Sequence, residues 1–500
     1  MIIIIAMIWF LRRPSAIGDV AILNAMIYDG SGAAPFEGGI AIRGNRITAV
    51  WRGWRLPWRV AAKRKIDARG LAVAPGFVDT HSHADLGIAD ASSSIRAENF
   101  VMQGVTTMVV GNCGRSPRDL RKFRAIVESR GSNVNIAALA GLNTIREAVM
   151  RHSANSPTPA ELAAMSKLLE RQIAAGAVGV STGLEYVPGR FATRDEMFRL
   201  LRLAARRGGV HTSHMRNEAK HVVASAREVL SLSEQARIPL LISHLKVSGP
   251  RNCALVDPLL DLFARRRAHP LYVDQYPYAA ASTTLDVYLP DWFFRLGPRE
   301  RRNALRTRRE ELKRELRRRL AEDGYVDFRF ARVVDVAEHR SWAGLTIGAI
   351  DRARHGGVTS PETQLDLVLD LAGRGSPQMI YHNICPDAVE RIQRTLSPMI
   401  GSDSAIRWDN GRSAPHPRGW GAFAKFLGYS VRERKVTGLS EAIRRMTDLP
   451  ARFFGLTGRG RIAAGYYADI VMFDPKIVAA RASYQHPFRK PIGIEYVFVN

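Results

Sequence analysis

Strand-like and helix-like stretches alternate through the middle of the chain. Apolar residues recur at helical spacing in stretches such as 159–174, 194–207 and 219–235, and short apolar runs lie between them. This alternation is typical of βα units and predicts an α/β fold of the (β/α)8 TIM-like barrel type. Nine strand candidates compete for eight barrel positions, so one is misassigned or belongs to an insertion. The candidates are residues 72–80, 105–111, 135–140, 177–182, 208–212, 238–243, 270–276, 378–382 and 398–402.

Both ends of the chain have a different, β-rich pattern. Residues 20–73 hold brief apolar runs separated by turn formers, and two further strand patterns lie at 465–474 and 493–500. Short apolar runs bounded by Gly, Asn and Asp are strand and turn signals. We therefore predict that residues 19–73 and 451–500 fold together into one small β-sandwich domain.

The barrel is expected to span residues 74–450, with a helix-rich insertion on its rim. The stretch from about 283 to 376 is too long for an ordinary connection between two strands. Within it, residues 295–319 hold 12 Arg or Lys against 4 Glu, a net charge of +8. The apolar side of an amphipathic helix would be formed there by Leu305, Leu312, Leu316 and Leu320.

The formal net charge of the whole chain is +26, which is compatible with a nucleic acid or an anionic membrane as partner. No aromatic residues are interleaved with the basic residues of 295–319 to stack on bases. A solvated basic helix face is therefore favoured, and we expect no nucleic acid partner and no membrane contact.

The first 18 residues form an apolar extension that we expect to be disordered or artefactual. Its apolar run, residues 1–11, is shorter than the roughly 20 residues that a membrane-spanning helix needs. The basic pair Arg12 and Arg13 follows the run, whereas a secretory signal carries its charge first. A weak membrane anchor or an atypical signal is the alternative.

The three cysteines do not form a paired framework. Cys113, Cys253 and Cys385 are widely scattered, which argues against a disulfide-built secreted protein. The pattern favours a reducing compartment, so we expect a cytoplasmic protein. Cys253 and Cys385 are interpreted as plain thiols.

Side chains that bind zinc follow the apolar runs at several strand ends. His81 and His83 are two apart on one strand, so both point to the same face and can bind one metal. Imidazole, thiolate and carboxylate groups are zinc ligands, and a (β/α)8 barrel gathers its active site at the carboxyl ends of its strands. The pattern predicts a metal-dependent hydrolase. The candidate ligands are His81, His83, Cys113, His214, His244 and Asp403.

Each candidate ligand also has an ordinary structural interpretation. Cys113 could be a buried apolar filler, His244 a core histidine with satisfied hydrogen bonds, and Asp403 a turn residue. His211, three residues before His214, is interpreted as a packed histidine rather than a ligand.

Longer motifs give the chain a specific resemblance. Residues 75–83, Pro-Gly-Phe-Val-Asp-Thr-His-Ser-His, resemble the first-strand signature of the amidohydrolase superfamily, and residues 104–114 narrow the resemblance to its D-aminoacylase branch. The resemblance extends in order over about residues 19–500. Further matching segments are 179–186, 213–218, 242–246, 274–278, 401–403, 416–418 and 460–469.

The resemblance implies roles for the candidate ligands. Cys113, His214 and His244 would hold a tightly bound Zn²⁺, while His81 and His83 would form a second, weaker metal position. Asp403 would touch the metal and act as the general base that moves a proton from water to the leaving nitrogen. Ser404 departs from the glycine that is common in relatives.

The resemblance also implies a site for the substrate. An acylated amino acid carries a carboxylate, and Lys246 and Arg418 are the candidate cations. Tyr276, Tyr278 and Ser282 could add hydroxyl hydrogen bonds. The segment 405–415, which precedes Arg418, is longer than usual and bears on whether this side chain extends to the substrate.

These expectations together describe a zinc-dependent hydrolase that cleaves the acyl amide of N-acyl-D-amino acids. One alternative is another amide in the same fold, such as a dipeptide with a D-residue or a cyclic amide. A catalytically dead, basic binding protein is the alternative from another class. The expected partner is a small-molecule N-acyl amino acid, and the sequence does not indicate an oligomeric state.

Overall fold

The computed structural model describes residues 16–53, 61–88, 95–265 and 270–500. Its strands are β1 (Ala16–Ile27), β2 (Phe36–Arg43), β3 (Arg46–Arg52), β4 (Ala61–Asp67), β5 (Ala72–Pro75), β6 (Phe77–Asp79), β7 (Val105–Val110), β8 (Asn135–Ala138), β9 (Ala140–Gly141), β10 (Gly179–Gly183), β11 (Val210–His214), β12 (Leu240–Ile242), β13 (Leu271–Gln275), β14 (Ala281–Thr284), β15 (Ala331–Val333), β16 (Gln378–Tyr381), β17 (Met399–Ile400), β18 (Ile470–Phe473) and β19 (Ile494–Phe498).

The α-helices are Asp85–Ile88, Glu98–Val101, Leu120–Arg130, Leu142–Met150, Pro159–Ala174, Arg194–Arg206, Val222–Ala236, Val256–Ala264, Asp291–Arg295, Pro298–Thr307, Arg309–Asp323, Ile347–Arg354, Pro361–Gly373, Pro386–Thr395, Arg418–Lys425, Leu439–Met446 and Asp448–Phe453. Single 3₁₀ turns lie at Gly189–Phe191, Pro250–Leu255, Leu285–Tyr288 and Arg340–Trp342, and a π-helix at Phe426–Glu433.

Parallel strands with buried side chains form the centre of the molecule. β9 to β13 and β17 form one parallel sheet, and β6, β7 and β8 form another. Only Leu139 separates β8 from β9. On the other side, the amide of Asp403, just after β17, donates to the carbonyl of His81, just after β6, at 2.7 Å. The series of hydrogen-bonded strands therefore returns to its starting point.

The surplus strand candidate is residues 378–382. They form β16, which pairs antiparallel with β14 and β15 in a separate three-stranded sheet. The candidate at 72–80 is divided into β5 and β6 at Gly76. A Cβ on Gly76 would lie 2.2 Å from the hydroxyl oxygen of Thr106, so only glycine fits where the chain passes from one sheet to the other.

Helices cover the parallel strands, and their boundaries follow local signals. The helix Pro159–Ala174 begins with a capping box, in which the Thr158 side chain accepts from the Glu161 amide and the Glu161 side chain accepts from the Thr158 amide. Its proline is at the first helical position, where no backbone donor is needed. The helix predicted at 159–174 is confirmed.

Both chain ends join in a seven-stranded sheet. From the end of the chain, β19 pairs with β18 and β18 pairs with β5, which pairs with β1 and so reaches β2 and β3. The expectation that the two ends fold together is confirmed. Residues 16–18 of the expected extension belong to β1, and the extension up to residue 15 lies outside the described residues. The domain boundaries stay predictions.

The basic stretch forms two helices, Pro298–Thr307 and Arg309–Asp323. Leu312, Leu316 and Leu320 are buried in a core that also contains the helix Pro361–Gly373. The basic residues of the second helix pair with carboxylates: Arg309 with Asp366 and Asp370, Arg317 with Glu362, and Arg318 with Glu315 and Glu322. The predicted amphipathic helix is confirmed, and much of its charge is neutralised inside the protein.

The interpretation of Cys253 and Cys385 as plain thiols is wrong. The two residues form a disulfide, while Cys113 is free. The cysteines are 132 positions apart, so sequence spacing gave no indication of the pair. The argument for a reducing compartment loses its basis, and a cytoplasmic location stays a prediction.

No helix within the described residues combines the length and the apolar character that a membrane span requires.

We expect Leu316→Ala to destabilise the protein by about 2–5 kcal/mol, because Leu316 is fully buried and its truncation leaves a cavity. Urea unfolding would measure the change. The matched control on the same helix is exposed Arg314→Ala, expected within about 0.5 kcal/mol of the parent. Equal stability of the two variants would contradict the packing described for this helix.

Candidate metal centre and active site

Six side chains converge where β6, β7, β11, β12 and β17 end. They belong to His81, His83, Cys113, His214, His244 and Asp403. Three of the residues that carry them, Cys113, His244 and Asp403, have left-handed backbones with φ of 52°, 37° and 52°. Such a conformation is uncommon for residues other than glycine and concentrates at functional sites. The turns redirect the side chains toward one point after each strand has ended.

Cys113 lies at the centre of the group. Its Sγ is 3.3 Å from His81 Nε2 and 3.6 Å from both His214 Nδ1 and His244 Nε2. His214 Nδ1 and His244 Nε2 are 3.0 Å apart. Two ligand atoms in a tetrahedral zinc site lie roughly 3.3–3.7 Å apart, given Zn–N of about 2.0–2.1 Å and Zn–S of about 2.3 Å. The two distances from Cys113 Sγ lie in this range and the 3.0 Å between the two imidazole nitrogens is somewhat shorter, so the three side chains are arranged as a group that could hold a zinc ion.

A second group of donors overlaps with Cys113, His214 and His244 at Cys113 and His244. His83 Nε2 lies 3.1 Å from Asp403 Oδ1, and His81 Nε2 lies 3.6 Å from the same oxygen. His81, His83 and Cys113 can hold a metal ion together, as can His81, His244 and Asp403. The donor set is thus large enough for two adjacent positions.

The electrostatics of the group favour metal ligation. Burial alone would raise the pKa of the Cys113 thiol, but the charges and hydrogen bonds of His81, His214 and His244 hold that pKa well below its usual range. The thiolate is the form that binds metals. The thiolate form that these charges favour suits the expected role of Cys113 as a metal ligand better than that of an apolar filler.

Two carboxylates orient the imidazoles from outside. Glu185 Oε2 lies 2.9 Å from His214 Nε2, and Glu218 Oε1 lies 3.0 Å from His244 Nδ1. Metal-binding histidines commonly donate their second N–H to such a carboxylate, which fixes the ring and its tautomer. Sequence reasoning assigned neither residue a role. The available signals were that Glu185 closely follows β10 and that Glu218 is four residues beyond His214.

Two further buried carboxylates hold the turns. Asp79 Oδ1 accepts from the amides of His81 at 3.1 Å and Ser402 at 2.9 Å. Asp274 accepts from the amide of His244 and lies 3.8 Å from His81 Nδ1. Burial raises the pKa of Asp79 to about 7. Both residues link strand ends that are far apart in sequence.

The cluster opens into a cavity of about 290 Å³. Most of the predicted site residues line it, while His81 and Tyr278 do not. Tyr186, Arg115 and Arg407 also line the cavity and were missed from the sequence. The predicted residues that line it are His83, Cys113, His214, His244, Lys246, Tyr276, Ser282, Asp403 and Arg418.

The two candidate cations are both paired with protein carboxylates. Lys246 Nζ lies 2.6 Å from Glu218 Oε2, and Arg418 Nη1 lies 2.8 Å from Asp403 Oδ2. Burial would raise the pKa of Asp403, but the Arg418 guanidinium and the neighbouring histidines hold it well below its usual range. Arg418 therefore acts on Asp403 directly.

Three hydroxyl groups were predicted to contact substrate. Tyr276 Oη is buried without a hydrogen-bond partner among the described residues, and its ring lies under the Arg418 guanidinium. The Ser282 hydroxyl donates to Met379 O at 2.8 Å, so it is already engaged. The ring of Tyr278 packs against His416 away from the cavity.

His211 is packed as expected. Its Nε2 is 2.9 Å from the Thr182 hydroxyl, and its Nδ1 is 2.9 Å from the Ser233 hydroxyl. Burial lowers the pKa of His211 to about 3, so the ring is neutral. It contributes to the core between a strand and a helix.

Comparisons with known proteins agree with this geometry. Residues 64–247 and 301–500 match the sequence model of the Amidohydrolase family. The N-acyl-D-glutamate deacylase of Alcaligenes xylosoxydans xylosoxydans is 33% identical over 96% of this chain and 92% of that protein. The chain belongs to the amidohydrolase family. The D-aminoacylase of the same organism is 32% identical over 96% of this amidohydrolase and 93% of that protein, which confirms the resemblance to the D-aminoacylase branch.

A solved structure extends the similarity to three dimensions. The N-acyl-D-glutamate deacylase of Bordetella bronchiseptica, complexed with zinc and a phosphonate inhibitor that mimics the tetrahedral intermediate, superposes with a TM-score of 0.79. It is 32% identical, and the match covers 96% of this amidohydrolase and 95% of that chain. The likeness thus extends over nearly the whole length of both chains.

Replacing Cys113 by Ala should remove most tightly bound metal, because it deletes the donor that lies within 3.6 Å of three imidazoles. Metal per chain after dialysis against Zn²⁺-free buffer would measure the loss. The exposed His152→Ala is the control and should keep its metal. A Cys113→Ala variant with an unchanged metal content would show that the thiolate is not a ligand.

Proposed function

We propose that this amidohydrolase hydrolyses the acyl amide bond of N-acyl-D-amino acids in a zinc-dependent reaction. The products would be a carboxylate and a free D-amino acid. The observation that carries the proposal is the convergence of six donor side chains on a cavity that also contains cations and Tyr276. Relatives with N-acyl-D-amino-acid deacylase activity that match over almost the whole chain support the same chemistry.

The proposed architecture is a (β/α)8 barrel with a small β-sandwich domain. The eight parallel strand positions, with β8 and β9 counted as one, support the barrel. The sheet of both chain ends supports the small domain, and the helices between 283 and 376 support a helix-rich insertion. Catalytic residues at the carboxyl ends of the strands are the rule in this architecture.

Cys113, His214 and His244 would hold the tightly bound Zn²⁺. His81 and His83, with Asp403, would form the second and weaker position. When bound, zinc polarises a carbonyl group and lowers the pKa of water. The metal is thus expected to contribute electrophilic chemistry, while the protein supplies the proton transfer and the substrate contacts.

Asp403 is the proposed general base. Its carboxylate is ionised, because Arg418 and the adjacent imidazoles favour the charged form. An ionised carboxylate at the cluster can take a proton from the attacking water and pass it to the leaving nitrogen. Arg418 keeps this group charged and fixes its orientation through the 2.8 Å ion pair.

The substrate carboxylate would bind beside Lys246, Arg418 and Tyr276. Tyr276 Oη is the one of these groups that lacks a hydrogen-bond partner within the described part of the chain. The guanidinium of Arg418 has five N–H donors, so it can bind a carboxylate while it keeps Asp403. Ser282 would help to shape the wall of the cavity. Its hydroxyl would not donate to the substrate, because it already donates to Met379 O.

A substrate panel tests the proposed function. Purified, zinc-loaded protein would be incubated with N-acetyl derivatives of D- and L-amino acids, with dipeptides that contain a D-residue, and with cyclic amides. Release of acetate and a free D-amino acid is the expected result. Turnover confined to dipeptides or cyclic amides would replace the proposal with that activity. Absence of all turnover with retention on immobilised DNA would favour a binding protein.

Asp403→Asn should lower kcat by a factor of roughly 10² or more, because an amide of the same shape cannot accept the proton. Steady-state kinetics on an N-acetyl-D-amino acid would measure this, with metal content determined in parallel. Asp409→Asn, in an exposed segment that follows, is the control. Loss of the tightly bound metal together with activity would mark Asp403 mainly as a ligand.

Tyr276→Phe should lower kcat/KM by about tenfold to a hundredfold, the cost of removing a hydrogen bond to a charged group. The loss should shrink for an N-acyl amine, which has no carboxylate. Tyr278→Phe is the matched control, because that hydroxyl is also buried without a partner among the described residues but does not line the cavity. An equal loss in both variants would argue against a contact between Tyr276 and substrate.

A further inference from the structure

The cavity contains two cations that no carboxylate among the described residues neutralises at close range. Arg115 and Arg407 both line it. Within residues 16–53, 61–88, 95–265 and 270–500, neither guanidinium has a hydrogen bond or an ion pair shorter than 4.0 Å. The acidic residue that acts on Arg407 from farther away is the exposed Asp335.

The other charged residues of the cavity are already paired. Lys246 contacts Glu218 at 2.6 Å, and Arg418 contacts Asp403 at 2.8 Å. The remaining carboxylate on the cavity wall, Glu185, contacts His214 at 2.9 Å. Arg115 and Arg407 are therefore a cationic surplus at the place where substrate is expected to bind.

The surplus cations have a defined position. Arg115 follows β7 and Arg407 follows β17, the two strands that flank β6. Lys246 and Tyr276, the proposed contacts of the α-carboxylate, follow β12 and β13 instead. Since β13 pairs with β17, the positive groups follow neighbouring strands around the rim of the cavity.

Burial makes the surplus at Arg407 energetically significant. This arginine is half-buried, whereas Arg115 is exposed. Burial lowers the pKa of Arg407, and the nearby positive charge of Arg418 acts in the same direction. A desolvated cation without a close counter-ion is unfavourable, and an anionic ligand removes that penalty. A single substrate carboxylate, held by Tyr276 and Arg418, would leave Arg407 unpaired.

We infer that the substrate carries a second anionic group and is an N-acyl derivative of a D-amino acid with an acidic side chain. Arg407 is the residue that recognises the side-chain carboxylate, and Arg115 adds a weaker, solvent-screened contact. The inference rests on the proposed N-acyl-D-amino-acid deacylase function and specifies which substrates that function prefers.

Matched pairs of substrates test the inference, because an amide has the shape of a carboxylate without its charge. The pairs are N-acetyl-D-glutamate with N-acetyl-D-glutamine, and N-acetyl-D-aspartate with N-acetyl-D-asparagine. The zinc-loaded parent protein should show a kcat/KM about tenfold to a hundredfold higher for the acidic member of a pair. A parent without this preference overturns the inference and leaves the proposed function intact.

Variants of Arg407 test whether this residue causes the preference for acidic over amide substrates. Arg407→Ala should lose most of the preference by reducing kcat/KM for the acidic substrates, with the amide substrates changed by about twofold or less. Arg407→Gln, which keeps the size of the side chain, should behave in the same way. The matched control is Arg412→Ala, an exposed arginine of the same segment that does not line the cavity. It should retain the parent preference.

The remaining outcomes are decisive as well. An equal loss on acidic and amide substrates in both Arg407 variants would show that Arg407 supports the fold, and the inference would fail. A preference that survives in the Arg407 variants but disappears in Arg115→Ala would overturn the assignment to Arg407. No turnover of any N-acyl-D-amino acid by the parent would refute the proposed function itself, and the inference with it.

Discussion

Hydrogen bonds to two buried carboxylates position the turns that carry several of the candidate metal ligands. Asp79 and Asp274 accept backbone amides from turns that the chain places more than a hundred residues apart. Neither carboxylate is exposed, and a buried carboxylate is costly unless it accepts such bonds. Two of the turns that these carboxylates hold are strained, since His244 and Asp403 have positive φ angles and each such residue costs about 1–3 kcal/mol. The strain persists because the surrounding bonds leave the turns no alternative, and the six donors consequently converge.

Charge pairing, rather than charge excess, explains much of the chemistry of the site. The chain has a formal net charge of +26, yet Lys246 and Arg418 are each paired with a carboxylate inside the cavity. The pair of Arg418 with Asp403 keeps the proposed base ionised in a place where burial alone would favour its neutral form. Net charge is therefore a poor guide to partners here. Arg115 and Arg407 are more informative, because within the described part of the chain they line the cavity without a close counter-ion.

The candidate ligands were recognisable in the sequence because each follows an apolar run, and strand ends gather active-site residues in an α/β barrel. Periodicity predicted one strand candidate too many and a joint sheet of the two chain ends. It did not predict which strand pairs with which. Contacts between distant segments were not predictable: Glu185 reaches His214 through a turn whose geometry no local pattern reveals. The disulfide of Cys253 with Cys385 was missed for the same reason. The motif that contains Tyr276 and Tyr278 likewise does not specify which hydroxyl faces the cavity; Tyr276 lines it and Tyr278 does not.

The helical region between 283 and 376 packs against the rest of the protein and also contacts a carboxylate beside the candidate metal centre. Arg319, on the helix Arg309–Asp323, donates to Val287 O and places its guanidinium 3.7 Å from Glu185. Glu185 in turn contacts His214, so a cation of the basic helix stabilises the carboxylate that orients a metal ligand. The basic character of this helix therefore has a specific use at one position, while Arg309, Arg317 and Arg318 form ion pairs with other carboxylates. Arg319 adds to the hydrogen bond and charge of His214 in offsetting the burial of Glu185 and the like charge of Glu218, which raises the pKa of Glu185. The helical region thus supplies a charge that the parallel strands around the ligands do not.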